Sequence, residues 1–209
     1  MDRMIIVGKI INFFSYILPL ILLGCATRPP DDLDNICGIF WHETDWYEAA
    51  VEASEKWKVP IHVMMAIIHQ ESRFIDDARP KRSRLLWVIP WTRPSSAYGY
   101  AQALDEVWGE YQDATDNHGA DRDDFDDAID FIGWYAARTY RTLGISKWDA
   151  RNQYLAYHEG MGGYKRKTYR SKSWLINVAS RVKSRSSMYY QQLQTCKAQL
   201  DDEVSGWFF

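Results

Sequence analysis

The segment from Asp124 to Leu143 sets the first constraint. Its apolar residues Phe125, Ile129, Ile132, Ala136, Tyr140 and Leu143 recur at the three- and four-residue spacing of one helix face. Asp123 or Asp124 is placed to cap the start, and Gly144 to stop the end. The same stripe recurs at Trp46, Ala50, Ala53 and Trp57, within Asp45 to Trp57. Pro60 sits in the first turn of the apolar run Ile61 to Gln70, where a helix accepts proline. Trp148 to His158 reads as a further helix, ended by Gly160, Gly162 and Gly163. Ser171 is placed to cap a long last helix with Leu175, Val178, Val182, Tyr189, Leu193, Cys196 and Leu200 along one side. Strand-like alternation is scarce, so the pattern predicts a mainly α domain.

One stretch breaks the pattern. Residues 79–96 hold Pro80, Pro90 and Pro94, several basic residues and the apolar knot Leu85 to Trp91. This reads as an inserted loop or flap with room for a short strand. Trp87 and Trp91 are candidates for a lid, or for aromatics packed within their own loop. The C-terminal tail over 201–209 ends in the apolar run Ser205 to Phe209, which reads as a frayed end.

The N-terminus reads as an address. Arg3 and Lys9 precede an apolar run over 10–23, and Leu22-Leu23-Gly24-Cys25 follows. A basic start, a short apolar run and a small residue describe a secretory signal over 1–24. The cysteine after that small residue resembles a bacterial lipobox, which implies lipidation at Cys25 and a linker over 25–43. An uncleaved membrane anchor is the alternative, disfavoured by Asn12 and Pro19 inside the run. Both place the rest of the chain outside the cytoplasm, and Ala26 points to the periplasmic face of the outer membrane. Cys37 and Cys196 then remain as an even pair in an oxidising compartment, either bridged or as two buried thiols; the compartment favours the bridge.

Charge excludes some functions. The 25 basic and 28 acidic residues leave a net charge of −3, which argues against a dedicated nucleic-acid binder. The signs are segregated: 105–130 carries eleven acids and one arginine, and 161–185 carries eight basic residues and no acid. Solvated helix faces explain this, and a basic rim beside an anionic polymer is the functional alternative. Asp121 to Asp127 lacks the glycine and terminal glutamate of a calcium loop.

The candidate chemistry begins at Glu71. It follows Met64, Ile67 and Ile68 at spacings of seven, four and three, which puts a carboxyl group on an apolar helix stripe. Such a group either escapes to solvent at the helix end or faces a pocket. In a pocket, desolvation and the negative helix terminus both raise its pKa, and a protonated glutamate can serve as a general acid. His69 and Glu71 do not share a face, and no His-Glu-x-x-His is present, so zinc is a weak reading. No Gly-x-Ser-x-Gly elbow supports a serine nucleophile.

Three short motifs carry a resemblance. They are Glu71-Ser72-Arg73-Phe74, then Ser96-Ala97-Tyr98-Gly99-Tyr100-Ala101-Gln102, then Ala156-Tyr157-His158-Glu159-Gly160. Over roughly 44–185, their order resembles the SLT-type lytic transglycosylases, which have a helical, lysozyme-like fold of the goose-lysozyme type. The resemblance implies a domain over 44–200. Three departures mark a distinct branch. Glu71 and Gln102 are separated by the 79–96 insertion. Ser96 and Tyr100-Ala101 replace Gly and Leu-Met. His158 replaces Asn.

The resemblance implies an activity without cofactor or metal. The β-1,4 bond between N-acetylmuramic acid and N-acetylglucosamine is cleaved by one carboxyl group. Glu71 would protonate the leaving oxygen, then deprotonate the sugar's C6 hydroxyl, giving a 1,6-anhydro end. Gln102, Tyr157 and His158 would contact the glycan, with Ser72, Ser96 and Tyr98 beside them. Partners would be peptidoglycan strands and a membrane through Cys25, with no nucleic acid. Two rivals remain: a muramidase that uses water and a second carboxylate from 105–130, and a non-catalytic peptidoglycan-binding lipoprotein.

Overall fold

The computed structural model describes residues 30–80, 84–85, 89–90 and 95–205. Among these, seven α-helices dominate: α1 (Ile36–His42), α2 (Thr44–Trp57), α3 (Ile61–Glu71), α4 (Asp105–Thr115), α5 (Phe125–Leu143), α6 (Ala150–Arg166) and α7 (Ser173–Ser205). A single 3-10 turn, Thr168–Ser171, joins α6 to α7. Inside the predicted insertion, β1 (Arg84–Leu85) pairs antiparallel with β2 (Ile89–Pro90), with Arg84 opposite Pro90 and Leu85 opposite Ile89. The lid expectation for Trp87 and Trp91 lies outside the described residues, as do the signal over 1–24 and lipidation at Cys25. No helix among the described residues is long and apolar enough to cross a membrane.

α3 is the central element, packed against α2, α5, α6 and α7. Seven consecutive residues, His62 to Ile68, are buried. A helix apolar on all sides belongs in a core, so the stripe read from Met64, Ile67 and Ile68 was only part of a fully enclosed surface. Pro60 caps its start, and its carbonyl accepts from the amides of Val63 (3.0 Å) and Met64 (3.3 Å). α5 begins and ends on local chemistry. The Asp124 carboxylate accepts from the amides of Asp126 and Asp127, and Gly144 ends the helix in the left-handed region.

One expectation needs correction. Residues 36–42 fall in the predicted linker but form α1, whose Ile36, Cys37, Ile39 and Phe40 are core residues. The helix expected from 148 does break at Gly160, and a second helical segment follows it directly. α6 runs from Ala150 to Arg166 and bends at Gly160, whose φ of 69° and ψ of 160° are not helical. That backbone region is essentially glycine's alone.

α7 straps the N-terminal segment to the domain. A disulfide joins Cys37 to Cys196. Beside it, the Gln192 side chain accepts from Ile36 N (3.0 Å) and donates to Asp34 O (2.9 Å). Arg185 pairs with Asp34, and the Tyr189 hydroxyl donates to Leu33 O.

Candidate functional site

Glu71 is the last residue of α3. It keeps partial access to solvent, yet the surrounding protein desolvates its carboxyl. Burial pushes its pKa up to about 7, against a lowering by a hydrogen bond from Tyr154. At neutral pH, about half of such groups carry a proton.

The chain beyond Glu71 turns sharply. Arg73 (φ 56°) and Phe74 (φ 60°) both occupy the left-handed region, at a cost of order 1 kcal/mol or more each. Burial of Phe74 between Trp46 and His69 offsets this, with ring centroids 5.7 Å and 6.0 Å away. The turn brings Ala78 O to the second motif, where it accepts from Gly99 N (3.0 Å) and Gln102 Nε2 (2.8 Å).

The second motif is a knot. Gln102 Nε2 also donates to Gly99 O at 2.9 Å, so both of its protons go to backbone carbonyls. Gly99 has φ +74°, and a Cβ there would lie 1.8 Å from Arg122 O. Only glycine fits. Tyr100 N donates to that same oxygen at 3.1 Å. Tyr100 is buried, edge-on to Trp46 and Phe125 (5.6 Å and 5.5 Å), which explains why an aromatic stands at this place. The Trp46 and Phe125 rings stack at 4.2 Å, so the motif rests on the core.

Tyr154 and Tyr157 of α6 complete the surroundings of Glu71. Tyr154 is 4% exposed, and its hydroxyl lies near enough to the Glu71 carboxyl to lower that group's pKa, while Glu71 raises its own. Tyr157 also senses the charge of Glu71; its pKa is raised by burial first and by Glu71 next. Its hydroxyl donates to Ala101 O at 2.5 Å, linking the third motif to the second. Tyr154 was absent from the sequence reading. The signal was there: it lies three residues before Tyr157, on the same helix face.

His158 is exposed. Its Nδ1 lies 3.2 Å from a Glu159 carboxylate oxygen, and its ring meets Trp174 edge-on at 5.2 Å. Desolvation raises the Glu159 pKa, but bonds from Lys172 (2.7 Å), Thr168 and His158 outweigh it and hold the value at about 2. This ionic cluster fixes the bend at Gly160 to the start of α7.

The remaining candidates are engaged by the scaffold. The Ser72 hydroxyl donates to Ile68 O at 3.4 Å, a weak contact that ends α3. Ser96 Oγ accepts from Asp105 N at 3.1 Å, capping α4. The Tyr98 hydroxyl donates to Asp123 at 2.6 Å, and Arg79 lies 4.0 Å over its ring. The acidic stretch has structural partners. Asp130 accepts from Lys56, Trp57 and Tyr111, and Asp127 accepts from Asn117 and the amide of Asp121. Among the described residues, no His, Cys, Asp or Glu group is arranged to hold a metal ion.

Thus the structure brings together Glu71, Tyr154, Tyr157 and the Gly99–Gln102 knot. Comparison with curated proteins and with solved structures gives no match. A model of the transglycosylase SLT domain matches residues 13–196. The chain belongs to this family, the SLT-type lytic transglycosylases, and its helices form a lysozyme-like domain of that kind.

Proposed function

We propose that this chain cleaves the glycan strands of peptidoglycan with Glu71 as the single general acid and base, leaving 1,6-anhydro-N-acetylmuramic ends. The observation that carries the reading is the environment of Glu71: a carboxyl poised near neutrality by burial, with Tyr154 and Tyr157 beside it. A group with pKa about 7 can give a proton to the leaving oxygen and take one back from the C6 hydroxyl. In a hydrolase of the two-carboxylate type, a second acid would flank the bond. Here the sugar's own acetamido oxygen would assist departure at the anomeric carbon. The C6 hydroxyl, held near that carbon, would then outcompete water.

The other residues take supporting roles. Tyr154 would stabilise the Glu71 anion formed after the first proton transfer. Tyr157, spent on Ala101 O, would set the depth of the cleft. Gln102 has only its carbonyl oxygen left to offer an acetamido or hydroxyl proton. His158 would contact the strand where the family motif has an amide. Ser72, Ser96 and Tyr98 would hold the walls in place. We further infer lipid attachment at Cys25 and a place on the periplasmic face of the outer membrane, from the lipobox-like sequence.

Mass spectrometry of muropeptides released from sacculi tests the reading. Wild-type protein should release products 18 Da lighter than the reducing forms made with water, and Glu71→Gln should release none. Reducing ends would make the protein a muramidase. Sacculus binding without release by either protein would make it a binding module.

A further inference from the structure

The proposed chemistry uses one end of α3, and the other end carries a second group of features. His62, in the first turn, is 8% exposed. Its Nδ1 lies 2.8 Å from the Ser186 hydroxyl of α7, while Nε2 is buried with no hydrogen-bond partner. Buried polar atoms left unpaired are few in native proteins. Two rings cover the imidazole: Trp148 at 5.4 Å and Tyr190 at 5.1 Å between centroids. These two stand 6.1 Å apart at 76° to each other. Both are open to solvent, at 63% and 43% exposure. A cavity of about 640 Å³ lies against them, lined also by Asp149, Lys183, Ser187 and Gln191. Glu71 does not line it, and nine residues of helix put it roughly 14 Å away along α3.

We propose that this cavity is a carbohydrate-binding site that holds N-acetylhexosamine units of a glycan strand away from the cleavage centre. Its volume lies within the range of roughly 300–1,000 Å³ typical of small-ligand sites. Two rings near a right angle form an open corner. The C–H face of a pyranose stacks on one ring while its edge meets the other. The rim offers hydroxyl, amide, ammonium and carboxylate groups, which match the donors and acceptors of sugar hydroxyls and acetamido groups. A purely apolar ligand would leave them unpaired. Burial keeps the imidazole neutral by lowering its pKa to about 4. A swing of the exposed Trp148 side chain opens Nε2 to a sugar hydroxyl, which would satisfy the orphaned atom. The proposal rests on the peptidoglycan reading for the choice of polymer, but binding here does not require Glu71.

The test is an NMR titration of the full-length protein in detergent, carrying Glu71→Gln to prevent turnover, with chitotetraose. The His62 imidazole and Trp148 indole signals should move and saturate. Trp148→Ala should weaken that binding roughly five- to tenfold. Gln191→Ala, at the exposed rim, should weaken it by a smaller factor. In Glu71-intact protein, both should lower affinity for sacculi yet leave turnover of short soluble glycans unchanged. The idea is overturned if the His62 and Trp148 signals stay still, or if shifts are confined to Tyr154 and Tyr157. Unchanged affinity in both variants at an unchanged Tm would also overturn it. If Trp148→Ala lowers the Tm, Gln191→Ala decides. Failure of the catalytic reading would show separately, in the muropeptide masses.

Discussion

Replacing Tyr154 with phenylalanine removes one oxygen from a residue that is 4% exposed and leaves its packing in place. That oxygen carries the hydrogen bond that lowers the Glu71 pKa against the desolvation that raises it. A hydrogen bond to a charged group contributes about 1.5–3 kcal/mol. Part of it persists when the carboxyl is protonated, since the neutral acid still accepts. The remainder favours the anion by about 1–2 kcal/mol, equivalent to about one pH unit at 1.36 kcal/mol per unit. In the proposed reaction the first proton transfer needs protonated Glu71, so activity should fall as pH rises through a value near 7. Tyr154→Phe should carry that descending limb upward by about one pH unit. The assay is the initial rate of muropeptide release from sacculi between pH 5 and pH 9.5. A limb that stays in place or moves down would refute the reasoning. It would mean that Tyr154 does not support the anion, or that another group governs the limb.

Three further outcomes follow from the same geometry. Burial raises the Glu71 pKa from 4.5 to about 7, so its stabilising contribution is full below pH 4.5 and is lost as pH rises through about 7. Glu71→Gln should therefore raise the Tm relative to wild type at pH 8, by up to about 3 kcal/mol of stability, and much less at pH 4; an equal gain at both would contradict this. Gly99→Ala forces a Cβ onto Arg122 O at a positive φ and should cost about 2–4 kcal/mol in urea unfolding; a loss under 0.5 kcal/mol would show that the knot gives way. Cys37→Ser opens a loop spanning 159 positions, with a loss of up to about 5 kcal/mol by the chain-entropy model; calorimetry with and without reductant reads it, and an unchanged transition would show that the other ties to α7 suffice.

What was legible in the sequence was local. The bounds of α5 were readable because Asp124 and Gly144 act within a turn of the residues they cap. Spacing put Glu71 on an apolar helix stripe but left it between a solvated helix end and a pocket; its desolvation depends on neighbours from other helices. α1 was not readable, since seven residues are too few to show a period and its helix depends on the Asn35 cap and on packing against α7. Gly160 reads as a stop because glycine usually is one. It does break the helix here, and Glu159, just before the break, is held by Thr168 and Lys172 from beyond it. The role of Gln102 was open between sugar and scaffold; the Ala78 and Gly99 carbonyls, one of them 24 positions away, take its amide protons. Tyr154 was missed because its partnership with Glu71 joins α3 to α6, which no single segment displays.

The central claim is that the fold holds Glu71 between its two protonation states at neutral pH. Titration of its side-chain carboxyl by carbon-13 NMR measures that directly. The account predicts a midpoint near 7 in the wild type. A midpoint near the ordinary glutamate value of 4.5 would leave the carboxyl ionised throughout and contradict its role as the acid.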